Sequence, residues 1–400
     1  MPALAHRLSR AKTAATVAMT IKARELRAAG HDVIQLTIGE PDFDTPRHAI
    51  EGGYQAALAG KTKYPPMDGT TALKEAVQRK FKRDRGLDFE LGEIMVSNGG
   101  KQVIFNAFMA TLNEGDEVVI PAPYWAAYGL MAKLVGAEPV YISCPQNNGF
   151  KLRAEELDAA ITPRSKWLIL NLPNNPTGAA CTRDELEAIA AVMRRHPHVW
   201  VMADDMYEHL VYDGFEFNTL AQVAPDLRDR ILTISGVSKT YAMTGWRIGF
   251  AAGPRELIQA MVSMQGHVAA GVSTVGQAAA VAALDGPQHI VGEMAAIYKR
   301  RRDMCVEALN AMPGVSCHKP EGAFYVFPNI AGCLERTTPA GRVIKTDADF
   351  AEALLEEAHV ALVQGGAFGM SPYLRISYAT DDDSLARAMD RLGSFVRSLR

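Results

Sequence analysis

Between about residue 90 and residue 255, seven apolar strand-like runs alternate with amphipathic helical ones. That alternation confines the chain to a mostly parallel sheet with helices packed on it. The runs are "EIMVS", "EVVIPAP", "EPVYIS", "KWLILNLP", "VWVMADD", "ILTISG" and "RIGFAAG". Between them, "GKQVIFNAFMATLN" and "RDELEAIAAVMRRH" repeat apolar residues at the i, i+3, i+4 spacing of a helix. Beyond "AAGP" the pattern turns helical, first in "PRELIQAMVSMQG" and then over one long stretch from about Val275 to Met312. "GAFYVFP", "VALVQGG" and "YLRISYA" follow, interrupted by the helical "DADFAEALLEEA". The N-terminal segment holds one helix, "TVAMTIKARELRAAG", a short strand and the turn "IGEPDFDTP". We therefore expect a large α/β domain over 46–295, and a smaller α+β domain built from 1–45 and 296–400.

With 400 residues, 48% of them hydrophobic, the chain can bury two such cores. A formal net charge of −3, with both signs spread along the chain and no basic run, argues against a nucleic-acid partner. The five cysteines form no C-x-x-C pair, which reads as reduced thiols and no metal site. The start "MPALAHRLSRAKTAAT" has no apolar leader core, and no window approaches the ~18 apolar residues of a membrane span. The expectation is a soluble, cytoplasmic protein without a membrane partner.

P-loop, H-E-x-x-H, G-x-S-x-G and strand-to-helix G-x-G-x-x-G signatures are all absent. Polar residues instead collect at the ends of predicted strands, where open parallel sheets place their ligand sites. "SNGGK" (Ser97–Lys101) precedes a helix, and its glycines let backbone N–H groups approach an anion. "NLPNNPTG" (Asn171–Gly178) is a rigid polar loop after a strand. Asp204 and Asp205 end an apolar strand, and buried carboxylates need a partner; Tyr207 is close enough in sequence to share that space. In "SKTYAMTGWR" a lysine and an arginine stand eight residues apart between two core strands. Lysine there suits a nucleophilic amine and arginine a phosphate clamp. Singly, each segment is as easily a tight turn or a charged surface loop. Together, a carboxylate, an amine, an anion-binding turn and an arginine describe a ligand with a cationic ring, a carbonyl and a phosphate, which is pyridoxal 5′-phosphate.

With these residues in place, the chain resembles class I aminotransferases of the fold-type I pyridoxal-phosphate superfamily, closest to the bacterial aspartate and aspartate/prephenate subgroup. The resemblance runs from "LTIGEPDFDTP" through "KYPPMDGTTALKEAV", "NGGKQVIFNAF", "PAPYW", "NNPTG", "DDMYEHL" and "SKTYAMTGWRIGF" to "GAFYVF" and "LRISYAT". It implies that Lys239 forms the Schiff base and shuttles the proton, while Asp204 keeps the ring nitrogen protonated. Asn175 and Tyr207 would bond the ring hydroxyl oxygen, and Trp125 would stack on the ring. Arg247, with Gly99, Gly100 and Lys101, would hold the phosphate, joined by Tyr64 from the partner subunit of a homodimer. The family's serine three residues before the lysine is here Gly236, which leaves Ser235 and Ser238 as hydroxyl donors. Arg375 and Gly39 would receive the substrate α-carboxylate, and Lys12, Thr16 and Lys101 the distal one.

The implied reaction is ping-pong transfer of an amino group from an L-amino acid, aspartate first, to a 2-oxo acid. The acceptor stays open among 2-oxoglutarate, oxaloacetate, glyoxylate and prephenate, because Ala269 and Ala270 stand where close relatives carry polar residues. Two alternatives remain at this stage: a lyase or decarboxylase using the same cofactor, and a non-catalytic aminotransferase-like sensor.

Overall fold

The computed structural model of the protein describes residues 4–10 and 15–400, and for 15–18 the backbone alone. In chain order the first elements are α1 (Ala15–Ala28), β1 (Ile34–Gln35), α2 (Arg47–Leu58), α3 (Thr71–Arg85), β2 (Ile94–Ser97) and α4 (Gly100–Thr111). Then come β3 (Glu117–Ala122), α5 (Ala127–Leu134), β4 (Glu138–Ser143), α6 (Ala154–Ala160), β5 (Ser165–Asn171) and α7 (Arg183–Arg195). Next are β6 (Trp200–Asp204), α8 (Leu220–Val223), β7 (Ile231–Gly236), β8 (Gly249–Ala252), α9 (Arg255–Val268), α10 (Thr274–Asp285) and α11 (His289–Asn310). The chain ends with β9 (Tyr325–Val326), α12 (Asp347–Ala358), β10 (Val360–Ala361), β11 (Val363–Gln364), β12 (Leu374–Ser377) and α13 (Asp382–Ser398).

Among the described residues, the seven expected runs form one sheet in the order β2-β8-β7-β6-β5-β3-β4. Period-two alternation buries both faces. Leu168, Leu170, Val201, Ala203 and Ile231 pack with Leu186, Ile189 and Met193 of α7 on one face. Trp167, Ile169, Met202, Leu232 and Ile234 meet Val103, Ala107 and Phe108 of α4 and Met261 of α9 on the other. β3 to β7 pair in parallel, whereas β8 runs antiparallel to both β7 and β2. That reversal sets Gly249 opposite both Gly236 and Ser97. The connection from Val237 to Ile248 therefore leaves and re-enters the sheet at one edge, beside the start of α4.

A second core joins Met19, Ala23, Ile34 and Leu36 from the N-terminal segment to Leu354, Val360, Ile376 and Leu392 near the other terminus. β1 pairs in parallel with β10, and β11-β12-β9 form an antiparallel sheet. Two details differ from the expectation. The run from Val275 to Met312 is two helices, α10 and α11, because Gly286-Pro287 interrupts it: proline lacks an N–H and disfavours helical backbone before it. "VALVQGG" is likewise two short strands, β10 and β11, in different sheets.

Helix α7 opens on a reciprocal cap, in which Glu185 N–H donates to Thr182 Oγ1 (3.3 Å) and Thr182 N–H to Glu185 Oε2 (2.7 Å). Thr182→Ala removes one half of that cap, and a loss of about 1 kcal/mol in unfolding free energy is expected, read as a lower urea midpoint at unchanged m.

Candidate active site

The ends of β5, β6 and β7, the turn after β2, residues 37–40 and Arg375 enclose a cleft of about 780 Å³. Asp204, the last residue of β6, is 5% exposed, and its Oδ2 accepts from Tyr128 Oη at 2.6 Å. Met206 N–H lies 3.4 Å from Oδ1. Burial pushes this carboxyl up to about 6, against the pull of the Tyr128 bond. Such a group is completed by a proton or a cation delivered from the cleft. The neighbouring strand end supplies scaffolding: Asn171 Nδ2 donates to the Asp204 carbonyl (3.0 Å), and its Oδ1 accepts from Asn175 N–H (2.9 Å).

Lys239 lies just past β7 and donates from Nζ to the Gly39 carbonyl. Burial lowers its ammonium to about 8, assisted by Arg247 and Arg375 and opposed by Glu40. Neutral amine is therefore accessible near neutrality, as a nucleophile requires.

Arg247 closes the same loop in left-handed backbone, φ 57°, with Nη1 on the Thr244 carbonyl (2.8 Å) and Nη2 on that of Asn98 (3.3 Å). Gly99 caps the N-terminus of α4 at φ 83°, and a Cβ there would collide with the Arg247 guanidinium. Guanidinium and helix N-terminus thus share one space, a built anion cradle. Ser238 lines the cleft beside it.

Across the cleft, Arg375 is 4% exposed, stacked between Tyr325 and Phe368 at 5.0 and 4.8 Å from the ring centres. Its Nη1 reaches Asn175 Oδ1 (3.3 Å) and its Nη2 the Thr37 carbonyl, while its buried Nε has no partner among the described residues. Tyr207 Oη and Tyr325 Oη are hydrogen-bonded at 2.9 Å. A Cβ on Gly39 would strike the Tyr325 hydroxyl.

The structure thus gathers Gly39, Gly100, Lys101, Trp125, Asn175, Asp204, Tyr207, Ser238, Lys239, Arg247 and Arg375 around one cleft, with Gly99 behind the cradle. Lys101 sits 5.0 Å over the Trp125 ring. Ser235 must be corrected. Strand alternation turns it to the other face of β7, where its hydroxyl donates to Glu208 Oε1 at 2.7 Å, so it offers nothing to the cleft. Tyr64 is 95% exposed and does not line the cleft of its own chain. Lys12 lies outside the described residues, and the Thr16 side chain is likewise not described. Sequence reasoning missed Tyr128, Tyr325, Thr37, Phe368 and Arg24 as lining residues. Tyr128 had a usable signal: it follows Trp125 by three residues at the start of a helix, the spacing that puts two side chains on one face.

The family model for "Aminotransferase class I and II" matches residues 31–392. The chain belongs to that family. An aspartate/prephenate aminotransferase of Cereibacter sphaeroides is 52% identical over 399 residues, covering 100% of both chains. An aspartate aminotransferase of Rhizobium meliloti is 50% identical over 98% of this chain and 95% of its own. The crystal structure of the aspartate aminotransferase from Rhizobium meliloti superposes with a TM-score of 0.98 at 49% identity, covering 100% of both. The Thermus thermophilus aspartate aminotransferase with maleate gives 0.92 at 40% identity, over 99% of this chain and 100% of that one.

This aminotransferase is a pyridoxal-phosphate-dependent enzyme, and its residues fit that cofactor. A part-buried lysine matches the aldehyde, a desolvated carboxylate with no ion-pair partner among the described residues matches the ring nitrogen, and the Gly99–Arg247 cradle matches the phosphate.

In the cofactor-free protein the raised Asp204 carboxyl is a liability whose sign is fixed. The folded state holds its proton up to about pH 6 while the unfolded chain releases it near 3.8, so stability falls as pH rises between them. Asp204→Asn removes that loss. Its unfolding free energy relative to wild type is expected to rise by up to about 3 kcal/mol between pH 4 and pH 7, read by urea titration at each pH.

Proposed function

We propose that this aminotransferase moves the amino group of L-aspartate to a 2-oxo acid by a ping-pong route, in a cytoplasmic homodimer with shared active sites. The observation carrying the reading is the convergence of Lys239, Asp204 and Arg247 on one sheet edge, with the buried Arg375 facing them. Aspartate is supported by the names of the relatives and by the maleate, a four-carbon dicarboxylate, in the Thermus structure. Acceptors consistent with the site are 2-oxoglutarate and oxaloacetate, with glyoxylate and prephenate as further candidates.

When bound, pyridoxal phosphate supplies an aldehyde that captures amines and a ring that accepts the electron pair released at the substrate Cα. Arg247 and the α4 N-terminus with Gly99, Gly100 and Lys101 bind its phosphate, with Ser238 adjacent. Asp204 holds the proton on the ring nitrogen; ionised opposite that cation, it recovers the stabilisation it lacks alone. Asn175 and Tyr207 orient the ring through its hydroxyl oxygen, and Trp125 covers one face. Arg375 binds the α-carboxylate beside Gly39, which sets the Cα–H within reach of Lys239. With the cofactor bound, Lys239 would serve as the amine that takes the proton from the substrate Cα and holds it for return. Lys101, Lys12 and Thr16 receive the distal carboxylate.

The dimer has two supports. Ile50, Tyr54 and Leu58 form an exposed apolar stripe on α2, with Met67 and Val268 also exposed. Tyr64 is nearly bare on its own chain, which leaves it free to serve a partner subunit. Within each subunit we divide the chain into a large domain over 46–295 and a small one from 1–45 and 296–400, so closure of the second on the first would exclude water.

Lys239→Ala is expected to lose at least about 10²-fold in transamination of aspartate and the near-ultraviolet band of lysine-bound cofactor. Turnover and band both surviving would overturn the reading. Release of pyruvate, ammonia or carbon dioxide in place of amino transfer would assign the site to a lyase. Sedimentation as a monomer at micromolar concentration would remove the shared site.

A further inference from the structure

The β6–β7 backbone ladder stops where the chemistry starts. Its last registered pair is Asp204 with Ile234, and Asp205 N–H to the Ile234 carbonyl (2.9 Å) is the final backbone bond between the two segments among the described residues. Beyond it, the segment bearing Tyr207 and the segment bearing Lys239 have no shared ladder. A side-chain bond continues the tie behind the sheet: Ser235 Oγ donates to Glu208 Oε1 at 2.7 Å, both groups being 2% exposed.

Glu208 is itself held on three sides. Lys80 Nζ of α3 bonds Oε1, Arg85 Nε bonds Oε2 at 3.0 Å, and Arg85 Nη2 reaches the Glu208 carbonyl at 3.3 Å. Lys80 is 2% exposed as well, so one carboxylate and one ammonium are both withdrawn from water. Burial alone would raise the Glu208 carboxyl, but Lys80, His209 and Arg85 outweigh it and hold it at about 2. Its neighbour Asp205 is pushed up to about 8 by burial and by the Glu208 charge, so the proton of this pair rests on Asp205 and the negative charge on Glu208. A buried ion pair is seldom more stabilising than well-packed apolar side chains; what it does supply is a fixed geometry. Of the five residues from Asp204 to Glu208, three, Asp204, Met206 and Tyr207, line the cleft, while Glu208 reaches the opposite side of the sheet.

We propose that Glu208 is a positioning residue: through Ser235 it locks the Asp204–Tyr207 segment to the Lys239 segment past the end of the backbone ladder. This rests on the roles assigned above to Asp204, Tyr207 and Lys239. Arg375 is carried by β12 on the far side of the cleft, so loosening this tie disturbs the reacting groups more than the grip on the substrate carboxylate.

The test compares three variants of the cofactor-loaded enzyme. Ser235→Ala cuts the tie to β7 alone. Ser235→Thr keeps the hydroxyl. Lys80→Met removes a charge from the network but leaves the Ser235 and Arg85 bonds to Glu208. Ser235→Ala is expected to lower kcat by about 10-fold with the KM for aspartate changed by less than about twofold, since a small misplacement of reacting groups acts on the chemical step. It should also displace the pH midpoint of the bound-cofactor absorbance by about half a unit or more. Ser235→Thr should restore both, and Lys80→Met, which loosens Glu208 without cutting the tie to β7, should lower the melting temperature while moving midpoint and kcat clearly less than Ser235→Ala does. The proposal is overturned if Ser235→Ala matches wild type in kcat and midpoint, or if Lys80→Met shifts them as far as Ser235→Ala does. A wild-type enzyme with no lysine-bound cofactor band would instead strike at the roles of Lys239 and Asp204, which keeps the two failures apart.

Discussion

The backbone ladder joining β5, β6, β7 and β8 is the constraint on which the cleft depends. Asn171, Asp204 and the Lys239–Arg247 segment are tens of residues apart in sequence, yet each lies on or beside the end of one of these strands. Parallel pairing brings the ends of β5, β6 and β7 to one edge, and the antiparallel β8 starts from that same edge. Without the reversal, Arg247 would stand at the opposite end of the sheet from Lys239.

Charge is then distributed by burial. In front of the sheet, Asp204 is desolvated, with a tyrosine hydroxyl and a distant N–H as its side-chain hydrogen-bond donors among the described residues, and Lys239 is weakened as an ammonium by the same dryness. Both groups are left short of what water would supply, and a ligand with a ring cation and a carbonyl supplies it. Behind the sheet the opposite holds: Glu208 has a full set of donors from Lys80, Arg85 and Ser235. One side is poised for a ligand and the other is saturated, and five residues of chain connect them.

Much of this was legible beforehand, for reasons that differ by residue. The seven strands announced themselves because strands buried on both faces are continuous apolar runs. Asp204, Lys239, Arg247 and Gly99 stood out because charges and paired glycines at strand ends are costly unless used. Ser235 was misplaced because period-two alternation decides its face, and a hydroxyl next to the lysine in sequence looks the same on either side. Tyr128 and Tyr325 were overlooked because a buried tyrosine reads as core until a partner such as Asp204 or Tyr207 is placed beside its hydroxyl. The break between α10 and α11 was written in Gly286-Pro287 and passed over for the helical pattern on either side.

The sequence by itself determined the α/β architecture and the chemical types at the site, because hydrophobic periodicity and the expense of burying charge are local properties of the chain. Only the tertiary structure decided which of those groups face one another. The direction of β8, the face on which Ser235 and Glu208 meet, and the docking of the N-terminal segment against Val360 and Ile376 arise from pairings between residues tens to hundreds of positions apart. Such pairings are settled by which edges and faces remain to be covered once the sheet has formed, and no short stretch of sequence carries that information.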